Sequence, residues 1–249
     1  MKTLRVNHIS VFWETKQILF DVNAAFQKGK TTIIVGPNGS GKSTLLHSIM
    51  GDSMYEVKGK QKSSGIFIGD KNIIDIPIDE RARLGIFLSF QNPPAIAGVT
   101  ITDILRASIR AVKGSLDTKI FDTRFSKATK LLDMKGELLT RSVHEGFSGG
   151  EKKKIEILTA LMIEPSFALF DEIDTGVDVD ALKLLGKAMK ELISAGTGLV
   201  IVTHNLAITR LVSPDSVIVM KDGKIAQVGD KALLTHMLKK GFHQKSTSV

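Results

Sequence analysis

The residues best placed to do chemistry are Gly36, Gly41, Lys42 and Ser43, within the segment GPNGSGKST. Read in full as Gly36, Pro37, Asn38, Gly39, Ser40, Gly41, Lys42, Ser43 and Thr44, the segment fits G-x-x-x-x-G-K-[ST], the phosphate-binding P-loop. Glycines let backbone N–H groups crowd around phosphate oxygens because no Cβ blocks the approach. A helix starting at the same point adds the positive end of its dipole. Lys42 can reach β- and γ-phosphates, and the Ser43 hydroxyl can hold Mg²⁺. A plain glycine-rich turn with a surface lysine is the competing reading. The flanks argue against it: an apolar, β-branched run, Thr31 to Val35, precedes the loop, and a helix-like segment, Leu45 to Met50, follows.

Two further segments carry chemistry. FALFDE, Phe167 to Glu172, reads as a buried apolar strand ending in two carboxylates. Such a strand delivers an acidic group to the carboxyl edge of a sheet, where ligands bind in open α/β folds. Asp171 would bind Mg²⁺, directly or through water, and Glu172 would orient and deprotonate an attacking water. FSGGE, Phe147 to Glu151, places a Ser-Gly-Gly turn before a helix. Ser148 and Glu151 have capping-box spacing, and a capped helix start is also an anion site.

The elements that must position these groups alternate in type. Strand patterns fall at Leu4 to Val11, Ile18 to Phe26, Ile66 to Ile68, Ile86 to Phe90, Ser166 to Phe170 and Gly198 to Val202. Leu4, Val6 and His8 alternate with Arg5, Asn7 and Ile9 along the first of these. From Pro93 to about Gly146 helical patterns dominate, at Thr102 to Val112 and Lys119 to Leu132, with Thr102 and Asp103 as N-cap candidates. A helix is expected at Asp180 to Ile193, and a last strand pair, Ser216 to Met220 and Lys224 to Val228, brackets an Asp222-Gly223 turn. Strands alternating with helices predict a parallel α/β sheet.

Composition sets bounds. A chain of 249 residues with 43% hydrophobic content buries a substantial core. The absence of cysteine excludes disulfides and thiolate-held metal or iron–sulfur centres on this chain, and fits a reducing compartment. The first residues lack the apolar stretch of a signal peptide, and no run approaches the roughly 20 residues of a membrane span, so a cytoplasmic protein without membrane insertion is expected. The net charge of +8 reads mainly as a solvated lysine-rich surface, and one Trp and one Tyr give little support for nucleic-acid stacking.

Taken together and in order, the P-loop, the SGG turn, the strand-end Asp-Glu pair and His204 after the apolar strand Leu199 to Val202 resemble the ATP-binding cassette (ABC) ATPases over almost the whole chain. The resemblance implies a P-loop α/β fold: a RecA-like core sheet with an antiparallel β subdomain and an inserted α-helical subdomain. It divides the single domain into a nucleotide-binding core at 1–92 and 155–230, a helical part with the signature at 93–154, and a C-terminal helix and tail at 231–249. It implies that Gln91 contacts Mg²⁺ and water, that Asp178 is the D-loop aspartate, and that His204 touches the γ-phosphate. Trp13, with Phe12 as competitor, falls near the aromatic position that stacks on adenine. Two cassettes are expected to pack head to tail around two ATPs. Ser148, Gly149 and Gly150 would then act on nucleotide bound to a second copy, and the helical part would couple closure to a partner protein.

Three segments narrow the resemblance. FQNPPAIAGVTI (Phe90 to Ile101), FSGGEKKKIEIL (Phe147 to Leu158) and FDEIDTGVDVDAL (Phe170 to Leu182) are similar to SufC, the ATPase of SUF iron–sulfur cluster assembly. This implies a SufB/SufD-type scaffold as partner, with the cluster held there. Ile155 and Asn205 depart from the SufC pattern, and the alternative is the ATP-binding subunit of an ABC transporter with a membrane permease as partner. Intact Lys42, Asp171, Glu172 and His204 argue against a module that binds ATP without turnover. The cluster Lys152, Lys153 and Lys154 admits one more expectation: one of these lysines pairs with Glu172 in the free monomer and holds it from water. A solvated helix face is the competing reading.

Overall fold

The computed structural model describes residues 3–59, 61, 63–90, 93–204 and 206–234. The chain opens with strands β1 (Thr3–Trp13), β2 (Lys16–Gln27) and β3 (Thr31–Val35), then helix α1 (Lys42–Met50), strands β4 (Tyr55–Gly59), β5 (Gly65–Ile68) and β6 (Lys71–Asn72), helix α2 (Ile78–Arg83) and strand β7 (Ile86–Leu88). A mostly helical stretch follows: β8 (Ile96–Thr100), α3 (Ile101–Lys113), α4 (Thr118–Leu131), α5 (Gly136–Thr140), β9 (Ser142–Val143) and α6 (Gly149–Ile163). The last part comprises β10 (Phe167–Asp171), α7 (Val179–Ser194), β11 (Gly198–Val202), α8 (Leu206–Leu211), β12 (Ser216–Lys221) and β13 (Lys224–Gly229).

The parallel sheet runs β13-β12-β3-β11-β10-β7, with only β13 antiparallel to its neighbour. Every residue of β3, β10 and β11 is buried, as expected of strands covered on both faces. Opposite faces of β3 feed different cores. Ile33 and Val35 pack with α3, α4, α6 and α7, while Ile34 packs with α1 and the antiparallel sheet β2-β1-β5-β6, to whose β1 strand β4 adds. Arg81 ties the second layer to the P-loop helix. Its buried guanidinium donates to the Ser48 and Ile49 carbonyls at the end of α1, both at 2.9 Å, and to the Ile74 and Ile76 carbonyls. The Ser48 carbonyl also accepts from the Gly51 N–H at 3.2 Å, and burial pushes the guanidinium down to about 10.

Three local expectations change. The alternation read along β1 breaks at His8, whose φ of 47° marks a register shift between Val6 and Ile9, so Ile9 and Val11 turn inward with Leu4 and Val6. The α3 cap is Thr100, which accepts from the Asp103 N–H; Thr102 and Asp103 lie inside the first turn. Strand β7 stops at Leu88 rather than Phe90. The Ser89 hydroxyl accepts from the Asp171 N–H at 3.2 Å, and the Phe90 N–H turns away to a carboxylate on α6. The tail expected at 231–249 lies, from residue 235 onward, outside the described residues.

Candidate active site

Strand β3 ends in a loop whose backbone only glycine accepts readily. Gly36, Gly39 and Gly41 have φ of 154°, 76° and 96°. A Cβ on Gly36 would stand 2.1 Å from the Met220 carbonyl oxygen, and one on Gly41 2.4 Å from the Leu19 side chain. Helix α1 then begins with no side-chain cap and no acidic residue in its first turn, leaving its N–H groups for an anion. A cavity of about 520 Å³ lies over this helix start, lined by Asn38, Gly39, Gly41, Lys42, Ser43 and Thr44 together with Lys16, Ile18 and Glu172. Lys42 folds back over its own loop, donating to the Gly36 and Pro37 carbonyls at 3.0 and 2.9 Å. Burial lowers its pKa, while Glu172 and Asp171 nearby favour the charged form.

The end of β10 brings Asp171 to the same place. Its Oδ1 accepts from the Ser43 hydroxyl at 3.1 Å, while Oδ2 is buried with no hydrogen-bond partner among the described residues. Burial raises this carboxyl's pKa, and the neighbouring Glu172 raises it further. An orphaned carboxylate oxygen beside a serine hydroxyl suits a hard divalent cation that keeps most of its other ligands as water or phosphate oxygen. Among the described residues no group of three or more acidic, histidine or cysteine side chains could hold a metal alone.

Glu172 sits just past the strand in the left-handed region, at φ 50°, and its Oε1 lies 3.2 Å from His204 Nε2. Beside this pair the buried Thr203 hydroxyl donates to Asp174 Oδ2 at 2.6 Å, and burial raises the Asp174 pKa. Of the lysine cluster, Lys154 turns away, donating to the Asp133 carbonyl. Lys153 is buried; burial lowers its pKa, opposed by Glu156, Asp171, Asp174 and Glu172 in that order.

Ser148 caps α6 in a complete capping box: the Glu151 N–H donates to Ser148 Oγ at 3.2 Å and the Ser148 N–H to Glu151 Oε2 at 2.8 Å. Ser148, Gly149 and Gly150 do not line the P-loop cavity of their own chain. Asp178 caps α7, accepting from the Asp180 and Ala181 N–H groups. Trp13, about half exposed, ends β1 opposite Lys16, which lines the cavity although Trp13 does not; the Phe12 ring instead carries Lys58 Nζ at 4.8 Å. Gln91 and Asn205 lie outside the described residues. Sequence reasoning missed Lys16, Ile18 and Asp174. Asp174 alone left a signal, as a third carboxylate within DEID; the other two belong to a hairpin brought over the loop by tertiary pairing.

Comparison with known proteins gives the family of the chain. The family model for ABC transporter ATP-binding domains matches residues 19–175. A protein of Streptococcus pyogenes serotype M3, named as a probable ABC transporter ATP-binding protein, is 44% identical over 245 residues, 97% of this chain and 94% of the relative. The probable ATP-dependent transporter ycf16 of Cyanophora paradoxa is 35% identical over 246 residues, 97% of this chain and 93% of that one. Among solved structures, the dimeric structure of a bacterial ABC transporter cassette superposes with a TM-score of 0.76 at 21% identity, covering 91% of this chain and 98% of its own. The chain belongs to the ABC transporter family of ATP-binding domains. It has the ABC ATPase fold, binds ATP and is an ATPase. Among the described residues no helix is long and apolar enough to cross a membrane.

Proposed function

We propose that two copies of this ATPase close head to tail on ATP, each P-loop completed by Ser148, Gly149 and Gly150 of the other copy. The observation that carries the reading is the one-sided cavity: phosphate-loop residues, Ser43 (whose hydroxyl bonds Asp171) and Glu172 line it, but no signature residue does. The dimeric bacterial cassette, alike in fold, supports it. In this reading Gly36 to Thr44 bind the phosphates through backbone N–H groups, and Lys42 leaves the Gly36 and Pro37 carbonyls for phosphate oxygens. Ser43 and Asp171, with Gln91, hold Mg²⁺, which when bound offsets charge on the phosphates. Glu172 takes the proton of the attacking water, and His204, already beside it, donates toward the γ-phosphate. Turnover per chain is the test. A dilute, verified monomer is expected to bind ATP yet hydrolyse it at least about tenfold more slowly than the assembled form, because half the oxyanion donors are missing. Equal rates per chain would end the composite-site reading.

The same proposal extends to the partner. The three SufC-like segments and the absence of cysteine support work on a SufB/SufD-type scaffold that carries the iron–sulfur cluster itself. A second cavity, of about 510 Å³, offers the partner a place between the core and the helical segment, lined by Met50, Ile78, Phe90, Pro93, Ile104 and Val112 among others. A permease is the second reading, favoured by relatives named as ABC transporter ATP-binding proteins. Co-purification with iron analysis and visible absorbance separates them. An iron-loaded soluble partner supports the first, and a partner with many membrane spans overturns it in favour of the second.

A further inference from the structure

Helix α1 forms part of the wall of both cavities. Lys42, Ser43 and Thr44 at its front line the phosphate-loop cavity, and His47 and Met50 toward its rear line the apolar one. A helix of nine residues is only about 14 Å long and moves as one hydrogen-bonded piece, so whatever fixes its rear also fixes its front.

The rear is held by one side chain. Arg81, on α2, is 2% exposed. Its guanidinium donates forward to the Ser48 and Ile49 carbonyls of α1 and back to the Ile74 and Ile76 carbonyls ahead of its own helix. All four acceptors are backbone carbonyls, and Asp75 is the carboxylate whose charge favours the cation. Burying a cation this way is costly, so its presence calls for a reason. The planar fork of arginine can bond two elements at once, which an ammonium does poorly. A Cβ on Gly51, the α1 C-cap at φ 83°, would stand 2.7 Å from the guanidinium carbon, so glycine is what lets the fork reach the helix end. The cation thus sits at the negative end of the α1 dipole, opposite the end that faces phosphate. One turn before Arg81 on α2, the half-exposed Ile78 lines the apolar cavity. Contacts therefore run from Ile78 through Arg81 to the rear of α1, and along that helix to Lys42 and Ser43.

We propose that Arg81 is a positioning residue for nucleotide: its fork clamps the rear of α1 to α2, so that phosphate at the front of α1 and whatever fills the apolar cavity at Ile78 bias the same clamp. Such a linkage is reciprocal, so nucleotide must disturb the cavity wall if the cavity's occupant is to change nucleotide affinity. The inference rests on the phosphate-loop reading above.

The chain has no cysteine, so Ile78→Cys creates a single labelling point on the cavity wall. An environment-sensitive fluorophore there is titrated with MgATP in a dilute chain verified as monomer, so that closure of two copies contributes nothing. Emission is expected to shift at saturating ATP. In Arg81→Lys, which keeps the charge without the fork, the shift is expected to fall to about a fifth or less, and ATP affinity to weaken about fivefold or more. Melting curves recorded alongside separate a merely structural role, which would lower the melting temperature and leave the emission shift of the folded chain in place. Gly51→Ala crowds the fork from the helix side and gives the same reading should the lysine variant not fold. No shift with Arg81 intact, or a full shift in Arg81→Lys, overturns the proposal. Lys42→Ala, run alongside, keeps the two readings apart. Weak ATP binding by Lys42→Ala together with a full shift in Arg81→Lys removes only the clamp. Unchanged ATP affinity in Lys42→Ala removes the phosphate-loop reading, and the clamp's role with it.

Discussion

Two cavities of nearly equal volume, about 520 and 510 Å³, present opposite chemistry. The first is walled by glycine backbone, two lysines, hydroxyls and Glu172. The second is walled by methyl, ring and proline carbons, with the buried Glu156 and His144 among them. Size does not separate them; the groups facing in do. Inward N–H groups and ammonium charge suit a small polyanion, whose hydration they replace. An apolar hollow with few polar groups suits a protein segment, because burying hydrocarbon is what it can offer. Glu156, on the wall of the apolar cavity, accepts from the Phe90 N–H just past β7.

The sharpest way to break the contrast is to disable one cavity and watch the other. Glu172→Gln keeps shape and removes the base; turnover is expected to fall about 100-fold or more, while ATP binding and partner capture persist. Loss of partner capture in that variant would show that the cavities are not separable. Ile78, on α2, is about half exposed at the apolar cavity. Ile78→Asp is expected to weaken partner binding about tenfold or more, with basal turnover within about twofold, read by titration calorimetry and phosphate release.

The carboxyl buried on the wall of the apolar cavity gives a pH test. Burial pushes the Glu156 carboxyl up to about 7 from an ordinary 4.5. A raised folded-state pKa means that the folded chain holds the proton more tightly. That stabilising contribution is present below about 4.5 and is lost as pH rises through 7. Glu156→Gln cannot lose it. Its melting temperature is therefore expected to pull ahead of the wild type between pH 5 and 7 and then run parallel, by an amount on the order of 3 kcal/mol at most. Melting curves that stay parallel throughout would contradict a buried charge at this point. The smallest effect is expected at Ser148. Ser148→Ala removes the α6 cap for about 1 kcal/mol of stability, leaves nucleotide affinity of the monomer alone, and slows the assembled form. A monomer that binds ATP more weakly in this variant would place the signature at its own chain's cavity.

What could be read from the sequence was whatever is contiguous. The phosphate loop was legible because its chemistry is backbone chemistry: the residues that permit the conformation are the residues that make the site, and Gly36, Gly39 and Gly41 announce it. The Ser148 and Glu151 spacing forecast a capping box for the same local reason, and the parallel sheet followed from uninterrupted β-branched runs. Alternation along β1 misled because a single residue at positive φ, His8, resets the period, and no composition rule marks it.

By itself, then, the sequence determined the nucleotide loop, the strand-end carboxylates and the class of fold, since each depends on neighbours a few residues apart. Only the tertiary structure decided which groups meet across the chain. It brought Ser43 to Asp171, His204 to Glu172, Arg81 to the end of α1, and Glu156 to the Phe90 N–H. It also kept Ser148 to Gly150 out of their own cavity. The physical reason is that hydrogen bonds and desolvation depend on distances of a few ångströms between segments separated by up to 128 residues, and packing of the whole core sets those distances.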